Sequence, residues 1–211
     1  MTAGRFITLE GGEGAGKSTQ VEQLCEALRQ RGIDVVATRE PGGSDGAEAI
    51  RALLVRGDTE RWDPLTETLL HFAGRHDHYV RTIAPALARG AWVVSDRFAD
   101  STMAYQGYGL GVDRDVLQQL YETVLGDFAP DLTIILDLPV DMGLKRASAR
   151  GGDDRYERMD LSFHQRLRDG FLTIAASEPK RCAVIDAAAD ADAVGAAILA
   201  LVITRLDVVN G

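Results

Sequence analysis

The chain has 211 residues, of which 45% are hydrophobic and 26% are charged, a composition typical of one compact α/β domain over residues 1–211. Its formal net charge of −9 argues against a broad nucleic-acid-binding face, so an anionic ligand must be held by a local group of cations. No stretch is apolar for long enough to cross a membrane and the N-terminus lacks a secretory signal pattern, which predicts a cytoplasmic protein.

Short apolar runs alternate with longer helical patterns along the chain. The predicted strands are 5–9, 34–38, 91–95, 132–136 and 181–185. The predicted helices are 17–30, 45–55, 65–88, 114–125, 140–149, 161–176 and 191–206. Near-continuous apolar strands separated by helices predict a five-stranded parallel sheet flanked by helices on both faces. Ligands bind such a sheet beyond the carboxyl ends of its strands.

The first strand runs into a glycine-rich turn that fits the pattern G-x-x-x-x-G-K-[ST]. Glycines let consecutive backbone N–H groups converge on phosphate oxygens, and the helix that follows points its positive end at the anion. Lys17 is expected to contact the β- and γ-phosphates of ATP, and the Ser18 hydroxyl is expected to bind Mg²⁺. The ATP-binding residues of this phosphate loop are Gly11, Gly12, Glu13, Gly14, Ala15, Gly16, Lys17, Ser18 and Thr19. A glycine-rich turn that binds nothing is the alternative.

Charged residues follow the second and third strands, at the sheet edge where the phosphate loop is expected. Arg39 follows the second strand within Thr-Arg-Glu-Pro-Gly-Gly, and Asp96-Arg97 follows the third. A carboxylate at position 96 is typical of a Walker-B strand, which predicts that Asp96 binds Mg²⁺ opposite Ser18; a helix-capping role is the alternative. Arg97 suits the phosphate that accepts the transferred group, and a surface ion pair is its alternative.

The segment 148–158 interrupts two helical patterns with glycines and alternating charge, which is typical of a solvated loop. In a phosphoryl-transfer enzyme such a loop is also a lid that excludes water and brings arginine over the transferring group. Arg150 and Arg155 are then catalytic, together with Lys17 and Arg97. GTPases read guanine with an Asn-Lys-x-Asp motif, and Asn210 is the only asparagine, so the sequence argues against a guanine-specific switch protein.

Taken together, these segments resemble the thymidylate kinases of the bacterial type, in collinear order over about residues 5 to 206. The matching segments are the phosphate loop at 11–19, Thr-Arg-Glu-Pro-Gly-Gly at 38–43, Leu-His-Phe-Ala-Gly-Arg at 70–75, Asp-Arg-Phe-Ala-Asp-Ser-Thr-Met-Ala-Tyr-Gln-Gly at 96–107, Pro-Asp-Leu-Thr at 130–133 and Gly-Leu-Lys-Arg at 143–146. An acidic Glu13 in the loop and arginines in the lid match the lid-arginine form of the family. Two positions depart from its pattern: Gly74 stands where a larger residue is usual, and Gly151 and Gly152 make the lid unusually flexible.

The resemblance implies how the acceptor, dTMP, is held at its base and sugar. Phe72 would stack on the thymine ring. Arg75 and Thr102 would hydrogen-bond the edge of the base, and Gln106 would help through water. Tyr105 would pack against C2′ of the sugar and exclude a ribose hydroxyl.

The resemblance also assigns the remaining contacts with the two substrates. Arg39 and Arg97 would clamp the 5′-phosphate of dTMP, and Arg146 would stack on the adenine of ATP. The other acceptor contacts it implies are Glu13, Ser101 and Glu157.

The resemblance therefore implies the P-loop nucleoside monophosphate kinase fold and transfer of the γ-phosphoryl group of ATP–Mg²⁺ to dTMP, giving dTDP and ADP. Family members are homodimers, and the predicted helix at 65–88 and the helix after Asp100 are the expected interface elements. Two alternatives stay open: another nucleotide or nucleoside kinase on the same fold, and a regulatory ATP-binding module. The only cysteines, Cys25 and Cys182, are expected to be buried free thiols.

Overall fold

A five-stranded parallel sheet with the order β2-β3-β1-β4-β5 forms the centre of the molecule, whose computed structural model describes residues 4–151 and 155–208. The strands are β1 Phe6–Glu10, β2 Val35–Arg39, β3 Trp92–Asp96, β4 Leu132–Asp137 and β5 Cys182–Asp186. Every predicted strand is confirmed, with its end displaced by one residue along the chain. Three residues predicted to begin a strand accept a hydrogen bond from the neighbouring strand only through their carbonyl oxygens: Arg5, Asp34 and Arg181. Regular pairing therefore begins one residue later.

Helices cover both faces of this sheet, as predicted. They are α1 Lys17–Arg29, α2 Asp45–Val55, α3 Pro64–His78, α4 Ala84–Ala88, α5 Ala99–Thr102, α6 Arg114–Leu125, α7 Val140–Arg150, α8 Leu161–Ser177 and α9 Ala191–Arg205. Short polar side chains fix where several of them begin, because each accepts a hydrogen bond from a backbone N–H of the first turn. These capping residues are Ser44, Asp63, Asp113, Asp160 and Asp190.

Alternate residues of the central strands pack into opposite layers. Ile7 and Leu9 belong to the core cluster formed with α1 and α9. Phe6 belongs to a cluster on the other face, while Ile135 packs against α8. Both faces of β1 are therefore buried, which explains why the apolar residues of this strand do not alternate with exposed polar ones.

The long helix predicted at 65–88 is divided in the structure. A π-helical turn, Tyr79–Ile83, separates α3 from α4, and the N–H of Ala84 bonds to the carbonyl of Tyr79. Pro85 has no N–H to donate to the preceding turn, so the regular α-helical pattern cannot continue through it. A second π-helical turn, Met103–Gly109, follows α5. Such turns are frequent at functional sites.

Both cysteines are free and buried, as predicted. Cys25 lies in the cluster beneath α1, and Cys182 lies in the separate cluster beneath α8. Within the ranges described, no helix combines the length and the hydropathy that a membrane span requires.

Candidate active site

A cleft of about 280 Å³ opens beyond the carboxyl ends of β1, β2 and β3. The predicted site residues that line it are Glu13, Gly14, Gly16, Lys17, Ser18, Thr19, Arg39, Arg75, Asp96, Arg97, Ser101, Thr102, Tyr105 and Gln106. Residues that the sequence did not single out also line it, among them Glu40, Arg51, His71 and Tyr156. The cleft therefore brings the phosphate loop and the predicted acceptor residues to one place.

The phosphate loop is held in a conformation that requires glycine. Gly14 has a φ of 69°, and a Cβ atom at this position would lie 2.0 Å from the carbonyl oxygen of Gly143. The loop leads directly into α1, which begins at Lys17. Lys17 Nζ donates to the carbonyls of Gly11 at 3.1 Å and Gly12 at 2.8 Å. Burial and the nearby Arg97 lower the pKa of this ammonium group to about 8.

A hydroxyl and a carboxylate lie side by side at the mouth of the loop. Ser18 Oγ donates to Asp96 Oδ2 at 2.5 Å, although the two residues belong to different elements. Hydroxyl and carboxylate oxygens are the hard ligands that Mg²⁺ prefers, and the metal usually takes only one or two of them from protein. The predicted pair therefore has the chemistry of a magnesium site.

Arg97 joins the phosphate loop to the helix after β3. Its backbone has a φ of 71°, which is uncommon for any residue except glycine and marks a conformation fixed by its surroundings. Its guanidinium donates to the Gly11 carbonyl at 2.9 Å, to Ser101 Oγ at 3.2 Å and to Glu13 Oε1 at 3.0 Å. It also lies 4.9 Å from the centre of the Tyr105 ring.

Glu13 is held ionised within this group. Burial opposes the charge, but Arg97 and Lys17 outweigh burial and lower the pKa of the carboxyl to about 2. The hydroxyl of Tyr105 donates to the same carboxylate. A second buried carboxylate, Glu10, accepts a hydrogen bond from the N–H of Phe98 at 2.7 Å. Burial and the nearby Asp100 raise the pKa of Glu10 to about 8. Glu10 was missed because its place in an apolar strand gave no signal.

Arg75 lies on α3 with one side of its guanidinium anchored. Its Nε donates to Glu40 Oε2 at 2.8 Å, and its Nη2 donates to the carbonyl of Phe98 at 3.1 Å and to Thr102 Oγ1 at 2.9 Å. Glu40 is itself held by His78 Nδ1 at 2.9 Å. Arg75 Nη1 is buried and has no hydrogen-bond partner among the described residues. Arg75 lines the cleft, so a ligand bound there is a candidate partner for this nitrogen.

Gln106, on the second π-helical turn, offers the complementary group. Its Nε2 donates to Glu67 Oε1 at 2.7 Å. Its Oε1 is buried, lacks a partner within the part of the chain described, and belongs to a residue that lines the cleft. Two residues that line the cleft, Arg75 and Gln106, thus each carry a buried side-chain atom without a hydrogen-bond partner among the described residues, one a donor and the other an acceptor.

The residue expected to stack on the base, Phe72, does not line the cleft. Phe72 is buried away from the cleft and lines a second cavity beside α6, with the Arg75 guanidinium 5.1 Å from its ring centre. His71 lines the cleft instead. His71 lies four residues before Arg75 on α3 and Phe72 lies three residues before it, and both spacings make side chains neighbours on a helix surface. The spacing in the sequence therefore does not distinguish the two residues. Burial and Arg75 lower the pKa of His71 to about 3, so its ring is neutral.

The arginines expected to contact the 5′-phosphate of dTMP and the adenine of ATP take different positions. Arg39 lines the rim of the cleft and pairs with Glu48 at 3.1 Å. Arg51, which the sequence did not indicate, also lines the cleft and donates to the carbonyl of Pro41 at 2.7 Å. Arg146 lies on α7, outside the residues lining the cleft, and donates to the carbonyl of Ala187 at 2.9 Å.

The predicted lid at 148–158 is described at its ends, while Gly152, the two residues after it and the side chain of Arg150 lie outside the described part. Arg155 was predicted to act over the transferring phosphoryl group, but its guanidinium is buried in an ion pair with Glu67 of α3. It also donates to the carbonyls of Leu54 at 2.5 Å and Thr59 at 3.1 Å. Its position is therefore that of an anchor. Glu157 is half-buried in the 3₁₀ turn Arg155–Arg158, outside the cleft lining.

A phosphate loop, a hydroxyl–carboxylate pair and a second subsite rich in arginine define a P-loop kinase that acts on a small phosphorylated acceptor. Comparison with known proteins gives the family. The family model described as thymidylate kinase matches residues 9–198, and the chain belongs to this family of ATP-dependent nucleoside monophosphate kinases.

Individual relatives agree over nearly the whole chain. The chain is 59% identical over 206 residues to the thymidylate kinase of Caulobacter vibrioides, with 98% of this chain and 99% of that protein covered. It is 54% identical over 187 residues to the thymidylate kinase of Methylococcus capsulatus, with 89% of each covered. The crystal structure of thymidylate kinase from Ehrlichia chaffeensis superposes with a TM-score of 0.76 at 38% identity, covering 95% of this chain and 99% of that one.

Proposed function

We propose that this chain transfers the γ-phosphoryl group of ATP to the 5′-phosphate of dTMP, giving dTDP and ADP. The observation that carries the acceptor assignment is the pair formed by Arg75 Nη1 and Gln106 Oε1, a buried donor and a buried acceptor at one cleft. Thymine and uracil offer O4 as an acceptor and N3–H as a donor, which complements this pair. Cytosine offers an amino donor and an N3 acceptor instead, which would leave both protein groups mispaired.

Two planar side chains support the binding of the base and the deoxyribose. The neutral imidazole of His71 lines the cleft and is proposed to stack on the base, the role first expected of Phe72. Thr102, whose hydroxyl is already bonded to Arg75, stays a proposed contact of the base edge. Tyr105 is proposed to pack on C2′ of the sugar and to exclude a ribose hydroxyl.

The phosphate of the acceptor is proposed to lie between arginines. Arg97 and Arg39 are its clamp, with Ser101 beside Arg97 and the Glu13 carboxylate on the sugar side. Arg51 is a further candidate because it lines the same cleft. We keep Glu157 as a proposed acceptor contact and Arg146 as a proposed adenine contact.

Residues 11–19 are proposed to bind ATP, with Ser18 and Asp96 holding Mg²⁺. When bound, the metal neutralises charge on the phosphate oxygens. The reaction needs no covalent enzyme intermediate, so this chain contributes positioning and charge stabilisation through Lys17, Arg97 and a lid arginine. We retain that catalytic contact for Arg150, and assign Arg155 the task of holding the end of the lid on α3.

An ADP-release assay with an acceptor panel tests this function. We expect strong stimulation by dTMP, weaker stimulation by dUMP, and little by dCMP, UMP or thymidine. A different preferred acceptor would indicate another nucleotide or nucleoside kinase on this fold. Slow ATP hydrolysis that no acceptor stimulates would indicate a regulatory ATP-binding module.

We further propose that residues 1–211 form one kinase domain that acts in the cytoplasm as a homodimer. Leu65 and Leu69 lie one turn apart on α3 and are 47% and 49% exposed, and Val80 in the following turn is 51% exposed. Exposed apolar side chains aligned in this way favour a protein–protein contact. Light scattering coupled to size exclusion tests the proposal, since charged replacements of Leu65 and Leu69 should then give a monomer. A parent chain that is monomeric at micromolar concentration would refute it.

A further inference from the structure

Glu67 of α3 is a buried carboxylate that lies behind the residues lining the cleft and connects two of them. Its side chain is 1% exposed. Oε1 accepts from Gln106 Nε2 at 2.7 Å and from the hydroxyl of Tyr156 at 2.8 Å. Oε2 accepts from Arg155, whose positive charge compensates the buried negative charge. Gln106 and Tyr156 both line the cleft.

The chemistry of Glu67 determines which end of the Gln106 amide faces the ligand. A carboxylate paired with a guanidinium only accepts hydrogen bonds, so the amide must direct its NH₂ group toward Glu67. The Gln106 oxygen is thereby left as the buried acceptor of the cleft. A neutral amide at position 67 could both donate and accept, and Gln106 could then turn its NH₂ group to the ligand.

We propose that Glu67 is a positioning residue that sets the base specificity of the acceptor site by fixing the orientation of the Gln106 amide. This inference rests on the proposed function, because it assigns the Gln106 oxygen to the N3–H of thymine. Glu67 touches no substrate in this scheme. It acts through Gln106 alone, by excluding the orientation that would accept cytosine.

The same carboxylate ties base recognition to the lid. Tyr156 lies in the described part of the predicted lid at 148–158, and its hydroxyl lies 2.8 Å from Glu67 Oε1 and 3.0 Å from His71 Nε2. Arg155 links Glu67 to the α2–α3 connection through the carbonyls of Leu54 and Thr59. The ion pair with Arg155 therefore completes the charge balance on which the orientation of Gln106 depends.

The test is the ratio of kcat/KM for dTMP to kcat/KM for dCMP in Glu67→Gln and Glu67→Asp. Freeing the amide to flip should lower this ratio in Glu67→Gln by about 10-fold or more, chiefly through the two KM values, since one exchanged hydrogen bond of ordinary strength corresponds to such a factor. Glu67→Asp keeps an acceptor-only group and should hold the ratio within about threefold of the parent. A ratio that falls equally in both variants would overturn the orientation argument.

Two further variants separate specificity from a general structural effect. Tyr156→Phe removes the hydroxyl of Tyr156 but leaves the Glu67 carboxylate and the Gln106 amide in place. The ratio of kcat/KM for dTMP to kcat/KM for dCMP should therefore stay within about twofold of the parent, even if turnover changes. If Glu67→Gln does not fold, the double variant Glu67→Gln/Arg155→Met removes both buried charges, and its ratio is judged by the same criterion.

The same measurements distinguish a failure of the Glu67 proposal from a failure of the proposed function on which it rests. A folded Glu67→Gln protein, or the double variant, whose ratio stays within about twofold of a dTMP-selective parent would refute the role of Glu67 alone. A parent with no preference for dTMP over dCMP would instead refute the proposed base recognition.

Discussion

Stacking by His71 can be tested against its neighbour Phe72, because both can be replaced by leucine. Leucine has no aromatic face, so His71→Leu should raise the KM for dTMP. Stacking of a base on an aromatic ring contributes about 1–3 kcal/mol, which corresponds to a rise of roughly 5- to 150-fold. His71→Leu also removes the hydrogen bond between His71 and the hydroxyl of Tyr156. This loss should add little to the rise in KM, because the Tyr156 hydroxyl still donates to Glu67 at 2.8 Å. The KM for dCMP should rise by the same factor, since stacking does not sense the edge of the base.

Phe72→Leu is the matched control. Phe72 is 3% exposed, so this change should lower the melting temperature by a few degrees, which corresponds to about 1 kcal/mol in a chain of this size. The KM for dTMP should stay within about threefold of the parent. Steady-state ADP release and thermal denaturation of the three proteins provide both readings. A folded Phe72→Leu protein with a larger KM increase than His71→Leu would refute the reassignment.

The pH dependence adds a check on the same side chain. His71 has a pKa of about 3, so its imidazole is neutral from pH 6 to 8 and does not titrate in that range. The KM ratio between His71→Leu and the parent should therefore be constant over this range. A ratio that changed severalfold near pH 6.5 would mean that His71 is exposed enough to be protonated.

The remaining predictions concern the phosphates, the lid and the sugar. Lys17→Ala should lower turnover by orders of magnitude with little change in melting temperature. Turnover within about threefold of the parent would refute the assignment of residues 11–19 as a phosphate loop. Arg150→Ala should lower kcat without loss of stability. Arg155→Ala should instead lower the free energy of unfolding in urea by about 3–5 kcal/mol, because it leaves the buried charge of Glu67 without its partner. The reverse pattern would indicate that Arg155 is the catalytic arginine. Tyr105→Ala should lower the ratio of kcat/KM for dTMP to kcat/KM for its ribose analogue. An unchanged ratio would refute the contact between Tyr105 and the sugar. Glu13 has a pKa of about 2 instead of 4.5, so it stabilises the fold above pH 4.5 and loses that contribution as the pH falls toward 2; Glu13→Gln should show a flatter fall in melting temperature over this interval.

Local patterns predicted the sheet, and they predicted that Lys17, Ser18, Asp96 and Arg97 lie at one cleft. β1 and the loop at 11–19 are contiguous, so glycine spacing and an apolar run contain the information needed to place Lys17 and Ser18. Asp96 and Arg97 could be added because parallel strands end at one edge. Those predictions needed no knowledge of side-chain direction.

The base subsite depended on information that sequence order does not contain. Whether His71 or Phe72 faces the cleft is decided by the rotation of α3, and an aromatic residue is plausible on either face. The anchoring of Arg155 depends on Glu67, which lies 88 residues earlier in the chain. A charged loop next to a phosphate site suggested catalysis, and only the tertiary contact revealed a buried ion pair.

The chain leaves the sheet at the end of β2 and re-enters it at the adjacent β3, and most of the acceptor subsite lies in this excursion or just after β3. If these residues bind the acceptor as proposed, acceptor choice is encoded in a nearly contiguous block of sequence, separate from the phosphate loop. Recombination between related kinases could exchange that block between strands that already pair. Glu67 sets the condition for a working chimaera: its partners Arg155 and Tyr156 lie outside the block, so a graft must bring them along or find equivalents in the recipient.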